Sequence, residues 1–331
     1  MTSEIDRFIV FGAGAIGGVV GARLAQSGHE VALVARGAHR EAIERDGLRI
    51  DDPDESATLR LPVTDDVATL DPGPSDVVLV AVKGQHTPDA IDALAPFGPD
   101  LPVVCLQNGT ANEAAFLRVF REVHTAPVML PATHLEPGVV QAHSAPTTGI
   151  LDIGRYPSGS DDRSKAISVA LRSSTFESVV RDDVMRWKWR KLLMNLGNVV
   201  DAACGRAHGN GKILEAMWAE AERVLDRAGI DVASAEEDRD RRGDHISIRA
   251  VRGRDHQGGS SWQSLARGGG SIETDLFNGE IVLLGRLHGE PTPVNEGLQR
   301  VGRRMASTGA APGSMTPDEL AAEVLPDADA G

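Results

Sequence analysis

The chain has 331 residues, 41% apolar and 25% charged, which suits a soluble globular protein of one large or two ordinary domains. A formal charge of −14 excludes a broad nucleic-acid surface, because a phosphate backbone needs clustered Lys and Arg. Only two cysteines occur, Cys105 and Cys204, with no Cys or His at zinc-ligand spacing, which excludes a disulfide framework, predicts no metal site and fits a reducing cytoplasm.

The start, "MTSEIDRF", carries acids where a signal peptide would carry bases. The uncharged stretch from Phe8 stops at Arg23, short of the roughly 20 residues a bilayer needs, so no membrane segment is predicted. "RFIVFGAGAIGGVVGARLAQSGHEVALVAR" reads as strand, tight glycine turn, helix, turn and second strand. Gly12, Gly14 and Gly17 form G-x-G-x-x-G in the context the motif requires, directly after a strand and opening a helix. The first glycine permits the turn, the second lets backbone approach a pyrophosphate, and the third lets helix pack on strand. The loop Gly12, Ala13, Gly14, Ala15, Ile16 and Gly17 is therefore the expected dinucleotide cradle, with the pyrophosphate on the helix N-terminus.

The second strand ends in Ala35 and Arg36, with His39 and Arg40 close behind. An NAD site offers an acid there for the ribose 2′-hydroxyl; a cation suits the 2′-phosphate, so Arg36 points to NADP(H). Two more strand endings follow. "DVVLVAV" runs into Lys83 and "PVVCLQNG" into Asn108, both at the edge where open α/β sheets bind ligands. With helices read in "TPDAIDALAPF" and "NEAAFLRVF", and β character around Val139 to Ile153 and Phe176 to Val180, the alternation implies an α/β protein with a doubly wound, Rossmann-type parallel sheet.

From about Asp183 helical patterns dominate: Arg186 to Cys204, Gly211 to Ala228, Ser260 to Leu265 and Ile272 to His288. "SAEEDRDRRGDH" reads as a charged loop or exposed helix turn. The predicted division is therefore 1–182, an NADP-binding Rossmann domain, and 183–331, a mostly helical substrate and catalytic domain with a flexible tail. Within that tail Thr316 and Glu319 form a capping box.

In "RWKWRKLLMNLGNVV" the residues Lys191, Asn195 and Asn198 fall, on a continuous helix, within a wedge of about 60°. Trp187, Met194, Leu192 and Val199 border it. Such a stripe either serves a polar ligand or is a solvated face with snorkelling lysines.

Taken in order, "GAGAIGG", "VALVARG", "VAVKGQ", "LQNG", "WRKLLMN", "SSWQSLARGGGSIETDLFNGEIV" and "HGEPTPVN" resemble the ketopantoate reductase (2-dehydropantoate 2-reductase) family, from Arg7 to about Arg304. The resemblance implies a Rossmann domain plus a helical domain, often as a homodimer, with the active site in the cleft and a place in pantothenate biosynthesis. It makes Lys191 the proton donor to the ketone, Glu273 the carboxylate that positions substrate and lysine, and Ser261 a contact for the substrate carboxylate. Asn108 and Lys83 line the cofactor cleft, and Asn195, Asn198 and again Asn108 bind polar substrate groups. Three positions depart from the family pattern: Asn198 comes seven rather than eight residues after the lysine, Trp262 replaces a common methionine, and Ser264 a common aspartate.

The expected activity is thus NADPH-dependent reduction of a branched 2-oxo acid to a 2-hydroxy acid in the cytoplasm. The rivals are a hydroxyacid- or opine-type dehydrogenase and an NADP-binding redox sensor without turnover. A sensor needs the glycine loop and Arg36 but has no use for Lys191 together with Glu273. Lys188, one turn before Lys191, is expected to tolerate substitution.

Overall fold

The computed structural model describes residues 5–205, 209–253, 258–268 and 270–325. The chain divides into two compact units, Met1–Lys188 with Ala235–His256, and Trp189–Ser234 with Gln257–Gly331. The sequence reading divides the chain at a single point, 182/183, whereas these compact units are divided otherwise. The division falls inside the helix Val184–Asn195, and a later segment returns to the first unit. Local texture does not reveal that return because charge pairing between distant residues makes it. Arg241 donates to the two oxygens of Asp152 at 2.6 and 2.9 Å, Arg249 to Asp54 at 2.6 Å, and Arg186 to Glu237 at 3.0 and 3.1 Å. The charged "AEEDRDRR" is a helix, Ala235–Arg242, belonging to this segment.

The first unit is built on a seven-stranded sheet in the order Gly154–Arg155, Val123–Thr125, Val103–Cys105, Asp76–Val80, Arg7–Phe11, Val31–Val34 and Val63–Thr64. Every pairing is parallel except at the Gly154–Arg155 edge. Successive side chains on a strand point to opposite faces. Phe8, Val10, Val77 and Leu79 accordingly enter one core with Val19, Val20 and Leu24 of the helix Ala15–Gln26. Ile9, Phe11, Val78 and Val80 enter another with Ala90 and Leu94 of the helix Thr87–Leu94. A sheet covered on both faces needs an apolar residue at every position, hence the continuous runs in the sequence.

The first strand is flanked by Val31–Val34 on one side and Asp76–Val80 on the other, so the winding reverses beside it. That reversal is where open α/β sheets bind ligands, outside the carboxyl ends of the strands. A four-stranded sheet and a three-stranded sheet complete the unit, taking in Val139–Ala142, Gly149–Leu151 and Phe176–Glu177.

The second unit is helical. Leu196, Met217, Phe277, Ile281, Leu298 and Leu320 share its core. The expected continuous helix from Arg186 to Cys204 is two helices, Val184–Asn195 and Asn198–Cys204, with Gly197 as the cap of the second. The 60° wedge therefore ends at Asn195, and Asn198 opens a new helix. The stretch from Ile272 likewise splits into a 3-10 turn, Glu273–Leu276, and the helix Asn278–His288. A helix not expected from periodicity, Pro293–Thr308, starts with proline in its first turn, where a missing N–H costs nothing. The tail is not loose as far as Leu325. Thr316 and Glu319 cap the helix Pro317–Val324, whose Leu320 and Val324 are buried. No helix among the described residues is long and apolar enough to cross a membrane.

Candidate active site

In the first unit, four expected site positions follow the carboxyl ends of four adjacent strands: Gly12 after Arg7–Phe11, Arg36 after Val31–Val34, Lys83 after Asp76–Val80, and Asn108 after Val103–Cys105. Gly12 has φ +104, and a Cβ there would lie 2.7 Å from Val82 Cγ1, so the loop packs directly on the turn that carries Lys83. At Gly17 a Cβ would fall on the Gly12 carbonyl oxygen, which forces glycine where helix meets strand. Gly14 differs: nothing lies within 4 Å of where its Cβ would be. The helix that follows, Ala15–Gln26, has no acid in its first turn and no side-chain cap. An open, bare helix N-terminus behind two sterically required glycines fits a dinucleotide pyrophosphate.

The cations behind the second strand have separate roles. Arg36 is exposed, caps the helix Gly37–Asp46 with its backbone, and makes no ion pair among the described residues. Arg40 is engaged with Glu44 at 3.0 Å and Asp65 at 3.5 Å. His39 reaches back to the glycine loop, its Nε2 lying 2.7 Å from the Ala13 carbonyl oxygen, while Nδ1 accepts from the Gly138 N–H at 2.9 Å. Burial pushes its pKa down, with the Ala13 contact opposing, so the neutral ring is favoured.

The Asn108 turn is fastened at several points. Gln107 Nε2 donates to Thr87 Oγ1 at 2.9 Å, and Asn112 Nδ2 to the Asn108 carbonyl at 3.1 Å. Beneath it lies a pair that the sequence reading missed. Lys188, 2% exposed, reaches Glu113 Oε1 at 2.8 Å and donates to the Gln107 carbonyl at 2.6 Å. Glu113, fully buried, also accepts from Thr125 Oγ1 at 2.6 Å. Burial, with the Glu113 charge beside it, raises the Cys105 thiol well above its ordinary range, and Lys188 partly offsets this. Lys188 is thus not the tolerant solvated neighbour expected. Helical periodicity placed it near the stripe, but its partner comes from a distant part of the chain.

In the second unit Lys191 is half-buried, while Asn195, Ser261 and Glu273 are buried. The Asn195 Nδ2 is buried and has no hydrogen-bond partner among the described residues. Asn198 lies against the loop before the helix Ser260–Ala266, with Nδ2 3.5 Å from Ser260 Oγ, and a Cβ at Gly259 would lie 2.8 Å from its Oδ1. Asp201 holds the same loop, accepting from the Gly259 N–H at 2.9 Å. Asp201 could have been found from its place one turn after Asn198.

Among the described residues, one cluster with metal-ligand chemistry occurs in the first unit, Glu122, His124 and Asp161, with ligand atoms within 4.8 Å of one another. Its carboxylates already face guanidinium groups, Arg163 at 3.3 Å from Glu122 and Arg155 at 3.3 Å from Asp161. Asp161 also caps the helix Asp162–Ser173, so a structural role accounts for it.

Known proteins are similar to this chain in both halves. The family model described as ketopantoate reductase PanE/ApbA matches residues 8–158, and that described as its C-terminal part matches residues 183–306. A 2-dehydropantoate 2-reductase of Halobacterium salinarum is 32% identical over 307 residues, covering 87% of this chain and 95% of that protein. One of Pyrococcus horikoshii is 27% identical over 300 residues, covering 87% and 94%. A crystal structure of a PanE/ApbA family ketopantoate reductase from Ralstonia eutropha JMP134 superposes with a TM-score of 0.75 at 27% identity, covering 92% of this chain and 99% of that one. The fold alone is shared with D-mandelate dehydrogenase, at a TM-score of 0.77 and 20% identity over 92% of this chain and 99% of that one. With both halves matched, in order and over nearly their whole length, the chain belongs to the ketopantoate reductase family of pyridine-nucleotide-dependent oxidoreductases acting on CH–OH groups.

Proposed function

We propose that the protein reduces a branched 2-oxo acid, ketopantoate or a close relative, to the 2-hydroxy acid with NADPH. The supporting observation is on the helix of Lys191: one turn further on, the buried Asn195 Nδ2 has no acceptor among the described residues, and a substrate oxygen would supply one. A buried donor left without a partner costs about 1–3 kcal/mol, so it is a feature kept for a ligand.

The loop of Gly12 and Gly14, with Gly17 packing its helix on the strand, holds the pyrophosphate and Arg36 the 2′-phosphate, with Lys83 and Asn108 beside the reacting end. When bound, NADPH supplies the hydride to the ketone carbon. Lys191 stabilises the negative charge developing on the ketone oxygen and donates the proton that completes the hydroxyl. Glu273 keeps the ammonium charged and oriented, and Ser261 receives the substrate carboxylate. Asn198 acts on the substrate through the serine loop it holds.

The fold is shared with D-mandelate dehydrogenase, so it does not choose among 2-oxo acids, and an aromatic residue, Trp262, directly follows the serine pair in the chain. The test is a panel of 2-oxo acids with ketopantoate and an aromatic member, followed by NADPH absorbance loss. Turnover of ketopantoate above the rest is the expected result. Preference for the aromatic acid would move the assignment to a related hydroxyacid dehydrogenase. Tight NADPH binding without turnover of any member would make the protein a sensor.

A further inference from the structure

We infer that Lys188 and Glu113 are positioning residues of the reaction, a buried charge pair that fixes the Gln107–Thr110 turn; the inference rests on the function proposed above. The turn is unusual for the number of acceptors it leaves unused. Gln107 Oε1, Asn108 Oδ1, Thr110 Oγ1 and Glu113 Oε2 are all buried without a hydrogen-bond partner among the described residues. Four buried oxygens left unsatisfied in one short stretch of chain are poorly suited to stability alone, since a half-satisfied buried polar network is worse than an apolar one. They suit a ligand that brings N–H or O–H donors, as the carboxamide of a nicotinamide nucleotide does, a contact that aligns the reacting ring while the phosphates hold the cofactor.

The ammonium holds this surface in place. Lys188 Nζ bonds the main-chain oxygen of Gln107 at 2.6 Å and Glu113 Oε1 at 2.8 Å, and Thr125 fixes the same carboxylate oxygen at 2.6 Å. Gln107 is anchored through its side chain to Thr87, which in turn donates to Asn112 Oδ1 at 2.8 Å. The main chain at Asn108 is thereby held on both sides, through the carbonyl oxygens of Gln107 and of Asn108 itself. Neither charged residue needs to touch substrate or cofactor for this, and Lys191 follows three residues after Lys188 on the same helix.

The double variant Lys188→Met/Glu113→Leu tests the role, because apolar replacement of a buried pair commonly preserves folding where a single deletion does not. We expect a folded protein whose NADPH dissociation constant stays within about twofold while kcat falls by up to about 10²-fold, the loss that a small misplacement of reacting groups produces. A purely structural pair would leave kcat of the folded double variant at the wild-type value, and that result overturns the inference. Should the double variant not fold, Glu113→Asp carries the test, since it keeps the charge but withdraws the carboxylate by one methylene. Lost kcat with retained NADPH binding supports positioning, and wild-type kcat overturns it. Lys191→Ala is measured alongside. If that variant turns over normally, the proposed function fails and the positioning role with it. If it is inactive while the pair variants are fully active, only the positioning role fails.

Discussion

Each ring nitrogen of His39 has its own partner, and together the two partners define its protonation. Because Nδ1 accepts from Gly138, the single proton sits on Nε2 and is donated to Ala13, bracing the glycine loop. A second proton on Nδ1 would confront an N–H donor. Burial has already lowered the pKa below its usual value of about 6.5, so the unfolded chain binds more protons at acid pH than the folded one. The stabilisation from this ring is therefore complete above about pH 6.5 and is lost as the pH falls. His39→Gln keeps a donor toward Ala13 and cannot titrate. Its thermal midpoint should fall less than that of the wild type on acidification, with His143, also depressed by burial, common to both. Equal falls would assign the acid sensitivity to other groups. Lys191→Ala should bind NADPH nearly normally yet lose about 10²–10⁴-fold in turnover, the range for a positioned general acid. Glu273→Gln should lose rate too, and the double variant less than the product of the singles. Lys188→Ala is no benign control: it leaves Glu113 buried and unpaired, which should cost about 3–5 kcal/mol in urea unfolding. Lys165, with 64% of its side chain exposed, is the better comparison.

Among elements, the motif residues around Asn278 and Asn295 form a buried knot in the second unit. Glu220 accepts from the backbone N–H groups of Val294 and Asn295 and from Asn295 Nδ2, each at 2.9 Å. A carboxylate there also meets the positive end of the helix Pro293–Thr308. Asn278 Nδ2 donates to Asn295 Oδ1 at 3.1 Å and to the Leu196 carbonyl at 3.3 Å, holding the chain where the Lys191 helix ends. Glu220→Ala should therefore lower unfolding stability by on the order of 3 kcal/mol, since it strands several buried donors. NADPH affinity should be unchanged; a shift in affinity instead would give this knot a part in the cofactor site. The knot shows what a sequence conveys and what it withholds. "FNGEIV" and "PTPVN" carry the family resemblance, yet their asparagines bond to main chain and to each other. Strands such as Asp76–Val80 were legible because burial on both faces leaves an unbroken apolar run. The break at Gly197 was not, because apolar periodicity continues on either side of it. Lys188 was misjudged for a related reason: its environment is set by Glu113, Gln107 and Thr125, none of them near it in the chain.

For the whole molecule, the opposition between global and local charge makes the cofactor assignment testable without a structure of the complex. The chain carries a formal charge of −14, so an anionic nucleotide approaches against the net field. At low salt this repulsion reaches far, because the Debye length is about 30 Å at 0.01 M and only about 8 Å at 0.15 M. Arg36, exposed and without an ion pair among the described residues, supplies a short-range attraction to the 2′-phosphate. Rising salt screens both, but Arg36→Ala retains mainly the repulsion and so gains more from screening than the wild type. The variant should bind NADPH more weakly by about 1.5–3 kcal/mol at low salt, the range for a charge-assisted contact. Its ratio of dissociation constants to wild type should shrink steadily as salt is raised. NADH lacks the 2′-phosphate, so the same ratio measured with NADH should stay near one throughout. A ratio for NADPH that does not respond to salt would mean that Arg36 meets no phosphate charge. Equal wild-type affinity for NADPH and NADH would remove the 2′-phosphate site altogether, leaving the glycine loop as a cradle indifferent to which of the two cofactors it holds.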